Sequence, residues 1–149
     1  MKIAVIHGPN LRTLGRREPR VYGTVTLPQI DQALRELAAE LDVELEIFQS
    51  NHEGEILDFL EEVREEVRGI LVNPAGLTHT SVSLLDALLA TDLPAVEVHL
   101  SNPATREDFR HRSFTARACL GTVAGFGKNS YLLGLRALVA HLQHPSRAG

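Results

Sequence analysis

Short apolar runs alternate with stretches of helical periodicity along this chain, and that alternation is what most restricts its fold. Residues 2–7, 43–49, 69–72, 95–99 and 121–124 read as strands. Between them, Leu27, Ile30, Leu34, Leu37 and Leu41 recur at helical spacing, as do Ile56, Leu60, Val63 and Val67 in a helix expected over 53–67. Thr26 and Gln29 have capping-box spacing, with Pro28 in the first turn, where its missing N–H costs little. A further helix is expected to start near Thr80 or Ser81, with one of the two as its cap. A short helical stretch follows at 105–110 and a last helix at 128–143. Strands separated by crossover helices must run parallel and be covered on both faces. The expectation is a flavodoxin-like three-layer α/β sandwich with a five-stranded parallel sheet of order 2-1-3-4-5.

The 149 residues suit one domain with one core, with residues 11–24 as a lid loop and 144–149 as a flexible tail. Net charge is −4, which gives no support to nucleic-acid binding. No apolar run approaches the ~20 residues of a membrane span. Lys2 leads directly into a strand with no cleavage-site pattern, so no signal peptide is expected. The lone cysteine, Cys119, excludes an intrachain disulfide and fits a reducing, cytoplasmic setting. Its apolar neighbours make it a packing residue rather than a nucleophile.

In such a sheet ligands bind beyond the carboxyl ends of the strands. After strand one come Asn10, Arg16, Arg17 and Tyr22, and after strand three Asn73 and His79. Strand four ends in Glu97 and His99, followed by Leu100, Ser101, Arg106 and Arg110. Tyr22 can be an ordinary half-buried ring. Arginines precede it closely, however, and a cation favours phenolate, which makes Tyr22 a candidate base. Glu97 and His99 fall on one strand face, where the carboxylate can orient the imidazole or offset its positive charge. His99 is then either structural or an acid. His79 and Asn73 can hold hydroxyls of a polyol. The Leu100 and Ser101 N–H groups can take a carboxylate, with Arg110 as a clamp. Arg106 and Arg112 are either equivalent to Arg110 or merely solvated.

The histidines form no metal signature and no Cys cluster exists. Gly121 to Lys128 lacks the Gly-Lys-Ser/Thr ending of a phosphate loop. Lys2 and Lys128 are the only lysines, and neither falls in the polar set, so carbonyl chemistry here would run through an enolate rather than a Schiff base. The rival readings are a flavodoxin-like flavin- or nucleotide-binding module and a phospho-receiver domain. The first wants a glycine- and hydroxyl-rich loop after strand one. The second wants aspartates where His7 and Asn73 stand.

Several segments carry a resemblance: His7-Gly-Pro-Asn-Leu11, Gly15-Arg-Arg-Glu-Pro19 with Tyr22-Gly23, Gln49-Ser-Asn-His-Glu-Gly54, and Asn73-Pro74 with Leu77-Thr-His-Thr-Ser81. It continues through Glu97-Val-His-Leu-Ser-Asn102, Phe109-Arg-His-Arg-Ser113, and Gly125-Phe-Gly127 with Ser130-Tyr-Leu132. Collinear over nearly the whole chain, they resemble the type II 3-dehydroquinate dehydratases of the shikimate pathway. The resemblance implies a cofactor-free anti elimination of water from 3-dehydroquinate. It implies Tyr22 as base, Arg17 as the group that activates it, and Asn10 holding a water on the enolate oxygen. His99, paired with Glu97, would be the acid. Asn73, His79, Arg110, Leu100 and Ser101 would bind substrate. It also implies a dodecamer built from trimers, with Asp86 serving a neighbouring subunit's site. Arg12-Thr13 departs from the family pattern and adds positive charge to the lid.

Overall fold

The computed structural model describes residues 1–16 and 18–145, with Pro19 and Tyr22 described by backbone alone. Arg17 and, in the tail expected to be flexible, residues 146–149 lie outside the described residues. The sheet has five parallel strands in the order β2-β1-β3-β4-β5. They are β1 (Lys2–His7), β2 (Glu44–Gln49), β3 (Gly69–Asn73), β4 (Ala95–His99) and β5 (Gly121–Ala124). Helices α2 (Leu27–Leu41), α3 (Glu53–Val63) and α4 (Val82–Thr91) make the first three crossovers, 3-10 turns carry the chain from β4 to β5, and α5 (Lys128–Gln143) follows β5; a one-turn helix α1 (Pro19–Tyr22) sits in the loop after β1. The expected three-layer fold and strand order are both present.

Strand alternation divides the core into two layers. Ile3, Val5, Leu71, Val96 and Val98 face α2 and α5, whereas Ala4, Ile6, Ile70, Val72 and Ala95 face α3 and α4. The central strands β1, β3 and β4 are buried almost end to end, as a parallel sheet covered on both sides requires. Each fully buried aliphatic side chain there contributes about 1.5–3 kcal/mol. His7 and Asn73 continue the first alternation and Glu97 and His99 the second. The same period that buries the core therefore delivers two polar sets to the carboxyl edge, one on each face.

Local signals hold at most element ends. The Thr26 hydroxyl accepts from Gln29 N–H while the Gln29 carboxamide accepts from Thr26 N–H. Ser81, not Thr80, caps α4, its Oγ accepting from Leu84 N–H at 2.8 Å. Three boundaries differ from expectation. Helix α3 ends at Val63, because the Glu65-Glu66 pair falls in a turn, although Val67 is still buried. Val43 belongs to the end of α2: its N–H reaches back to Ala38 O after a left-handed Asp42. The stretch at 105–110 is two 3-10 turns, Pro103–Thr105 and Asp108–Arg110, too short and polar to bury a helical face.

Gly134 lets α5 lie directly on the sheet, for a Cβ there would meet Val98 Cγ1 at 2.5 Å and Leu71 Cδ1 at 2.9 Å. Gly134→Ala gains about 1 kcal/mol of helix propensity. It forces an overlap that costs typically 1–3 kcal/mol. A lower urea midpoint with unchanged slope is expected, and a raised midpoint would show that α5 can move off the sheet.

Candidate active site

Gly8 turns the chain across the end of β3. Its N–H donates to Asn73 O at 2.8 Å, and a Cβ would lie 2.4 Å from Pro74 O. The loop is then pinned to the end of β2. Asn51 Oδ1 accepts from Asn10 N–H, and Gln49 Nε2 donates to Gly8 O. Arg12, the departure noted in the lid, donates through Nε to Gln49 Oε1 at 3.0 Å, so its added charge is anchored at the loop's root. Asn10 is left-handed, with φ 71°. Gly15 and Gly23, at either end of the segment that holds the arginines and Tyr22, both have positive φ, 92° and 77°. Tyr22 closes α1, and its side chain, like all of Arg17, lies outside the described residues. The neighbouring Arg20, Val21 and Gly23 share a second cleft with Leu100, Ser101 and Arg106, so this segment lies against the site.

The site itself is a cavity of about 170 Å³ at the carboxyl edge. Asn10, Asn73, His79, His99, Leu100, Ser101, Arg106 and Arg110 line it. His99 Nε2–H donates to Glu97 Oε2 at 2.9 Å, leaving Nδ1 as the nitrogen for other partners. Glu97 is fully buried and also accepts hydrogen bonds from the Ser113 and Thr115 hydroxyls. Burial alone would raise its carboxyl, but the His99 and Thr115 hydrogen bonds, the His99 charge and Ser113 together hold it below the usual carboxylate range. Glu97 is therefore a fixed anion behind the imidazole.

A stability dependence follows. A depressed carboxylate stabilises the fold fully above its unfolded pKa of about 4.3 and loses that contribution as pH falls through the lower folded value. Glu97→Gln is expected to flatten the acid limb of stability against pH below about 4.3. Urea titrations from neutral to acid pH read it, and an unchanged limb would mean the carboxylate gains nothing from its partners.

His79 Nδ1–H donates to Arg112 O at 2.8 Å. In the neutral ring Nε2 is then an acceptor, suited to a hydroxyl. Arg112 thus enters the site through its carbonyl rather than its guanidinium. Asn73 is oriented at both ends of its carboxamide, for Oδ1 accepts from Ala75 N–H and Nδ2 donates to Tyr131 OH, each at 3.0 Å. Arg110 Nε donates to Glu107 Oε2 at 2.9 Å, and its guanidinium lies 5.0 Å from the Phe109 ring centre. That hydrogen bond is the main reason the Glu107 carboxyl sits below its usual range. Arg106, left open by the sequence, lines the cavity and reaches Ser101 Oγ at 3.4 Å.

Asp86 is not in this cavity. It lies in a groove of about 370 Å³ between α3 and α4, with Leu57, Leu60 and Arg64. Cys119 is no nucleophile: burial and the Glu97 charge push its thiol up to about 12. Among the described residues no group of three or more His, Cys, Asp or Glu side chains is placed to hold a metal ion. No helix among them is long and apolar enough to cross a membrane.

Sequence reasoning missed Ser113 and Thr115, which reach Glu97 from 16 and 18 positions away, a separation that no local pattern encodes. It also missed Tyr131 behind Asn73.

Residues 1–139 match the family Dehydroquinase class II. A 3-dehydroquinate dehydratase of Acaryochloris marina is 55% identical over 141 residues, covering 95% of both chains. One from Halothermothrix orenii is 54% identical and covers 93% of both. The solved type II dehydroquinase of Butyrivibrio crossotus superposes with a TM-score of 0.90 at 39% identity, over 93% of this chain and 97% of that one. Sequence and fold agree, and the chain belongs to the class II dehydroquinase family.

Proposed function

We propose that this chain converts 3-dehydroquinate to 3-dehydroshikimate by an anti elimination of water through an enolate, in the shikimate route to aromatic amino acids. The observation that carries the reading is the meeting of Asn73 and His79, from the segment after β3, with His99, from the end of β4, in one cavity beside the Leu100–Ser101 backbone. The substrate carboxylate takes the Leu100 and Ser101 N–H groups, with Arg110 adding charge. Asn73 and the Nε2 of His79 hold ring hydroxyls.

Tyr22, activated by Arg17, takes the C2 proton alpha to the ketone, and the electron pair moves onto the carbonyl oxygen. Asn10 holds a water there that stabilises the developing charge. The enolate then reforms the ketone and breaks the C1–O bond, while His99 Nδ1–H protonates the departing hydroxyl. Glu97, hydrogen-bonded to Nε2, stabilises the positive ring before transfer. Tyr22 has gained one proton and His99 has lost one, so the substrate loses water and no redox change occurs. Residues 11–24 act as a lid that brings Arg17 and Tyr22 over the site and excludes water.

Asp86 lies away from its own chain's cavity, and we assign it to a neighbouring subunit's site in a dodecamer built from trimers. The enzyme works in the cytoplasm without a cofactor. The test is the purified protein with 3-dehydroquinate. Rising ultraviolet absorbance from the enone product is expected, with no inactivation by borohydride. Absence of turnover overturns the assignment, and borohydride trapping of substrate on Lys2 or Lys128 overturns the enolate route.

A further inference from the structure

Behind Asn73 lies a buried polar chain that the reaction as drawn does not use. Asn73 Nδ2 donates to the Tyr131 oxygen at 3.0 Å. Tyr131 OH and His7 Nδ1 are 2.8 Å apart, and His7 Nε2 lies 2.7 Å from Asp31 Oδ1. Four elements contribute: α2, the ends of β1 and β3, and α5. His7 and Tyr131 are fully buried and Asn73 nearly so, whereas the Asp31 side chain is 28% exposed and stands outside the cavity.

Donor counting gives the chain one direction. Asp31 accepts only, so His7 Nε2 must carry the proton. Asn73 Nδ2 donates only, so it occupies a lone pair on the Tyr131 oxygen. The Tyr131 O–H is then free to donate to His7 Nδ1, which in the neutral ring is an acceptor. A proton on both His7 nitrogens would leave the buried Tyr131 O–H without that acceptor, at the cost of an unmet buried donor. Burial, opposed by the Asn73 hydrogen bond and reinforced by the Asp31 charge, pushes the Tyr131 hydroxyl well up, which keeps it a neutral donor. At the far end, Asn73 Oδ1 is held by Ala75 N–H, so both ends of the carboxamide have fixed partners.

We propose that Asp31, His7 and Tyr131 are positioning residues that fix the orientation of the Asn73 carboxamide toward bound substrate. Asp31 sets the tautomer of His7, His7 sets the direction of the Tyr131 hydroxyl, and Tyr131 presents a lone pair to the Asn73 amide. Take away the Asp31 acceptor and His7 can move its proton to Nδ1. Tyr131 then accepts a hydrogen bond from His7 Nδ1–H and must turn its own O–H toward another oxygen, of which the Asn73 carboxamide oxygen is nearby and already engaged by Ala75 N–H. The amide loses its single low-energy setting. The inference rests on Asn73 binding substrate, as in the reaction above.

The test is a double-mutant cycle between Asp31 and Asn73 on the assembled enzyme, with 3-dehydroquinate as substrate. Asp31→Ala is expected to raise KM about five- to tenfold, the worth of one good hydrogen bond, with kcat changed less than KM. In an Asn73→Ala background the same change is expected to have no further effect. Asp31→Asn, which keeps an oxygen for the His7 N–H, is expected to restore most of the loss. Multiplicative effects of the two substitutions, or an unchanged KM in Asp31→Ala, overturn the proposal. Nitrogen-15 spectra of histidine-labelled protein read the relay without turnover: a neutral Nε2–H ring is expected for His7, and a protonated Nδ1 overturns the relay. A wild-type protein inactive on 3-dehydroquinate would overturn the functional reading instead, while the spectra still judge the relay.

Discussion

His99→Ala is expected to lower kcat by about 10²–10⁴-fold, the usual worth of a positioned general acid. kcat/KM is expected to fall equally, with KM little changed. The reason is that proton donation to the departing hydroxyl strengthens only as the C–O bond breaks, and an interaction made only in the transition state leaves ground-state binding alone. The geometry adds a second expectation. Because Nε2–H is committed to Glu97 at 2.9 Å, the proton leaves from Nδ1, and Glu97 holds the ring in that setting. Glu97→Gln removes the charge that stabilises the positive ring, and an amide N–H presented to Nε2 excludes the doubly protonated imidazole, leaving a neutral Nδ1–H too weak an acid to donate. Its kcat loss is therefore expected to approach that of His99→Ala, and the double variant should be little worse than either single one. Steady-state kinetics on the three variants checks this, and near-normal turnover by His99→Ala would remove it from the reaction.

Strands β1, β3 and β4 were legible to within one residue, and with them the period of two. Crossover helices implied that both sheet faces are covered, and the period of two placed Glu97 and His99 on one of them, where the structure joins them. Capping chemistry was equally legible at Thr26 and, between two candidates, at Ser81. What the sequence concealed are contacts whose partners share no local pattern. Ser113 and Thr115 look like loop hydroxyls until the 3-10 turns fold them onto Glu97. His7 reads as the end of a strand, yet it stands between Asp31 and Tyr131 in a fully buried setting. A buried imidazole needs partners on both nitrogens, so an odd-face histidine at the end of an otherwise apolar strand was the available signal. Arg110 illustrates the opposite case: it lines the cavity as expected, but a neighbouring carboxylate, Glu107, already engages it.

Tyr22→Phe is expected to reduce kcat by about 10²–10⁴-fold, since it removes the proton acceptor while keeping the ring. Leu100, Ser101, Asn73 and His79, proposed to take the substrate carboxylate and hydroxyls, follow β3 and β4 rather than lie in the loop after β1, so substrate affinity should stay within about threefold. Arg17→Ala separates activation of the base from the base itself. A cation beside a phenol favours phenolate, so loss of Arg17 must move the basic chemistry to higher pH. The ordinary phenol ionises near pH 10, and the variant should recover part of its rate as pH rises, whereas Tyr22→Phe has nothing to ionise and should not. Profiles of kcat against pH distinguish the two. Recovery by Tyr22→Phe at high pH would assign the base elsewhere, and an unshifted profile for Arg17→Ala would leave Arg17 as a substrate contact only. The same comparison weighs Arg12, anchored to Gln49 at the loop's root: a charge held there should alter the rate of lid closure and leave the pH at which Tyr22 ionises unmoved.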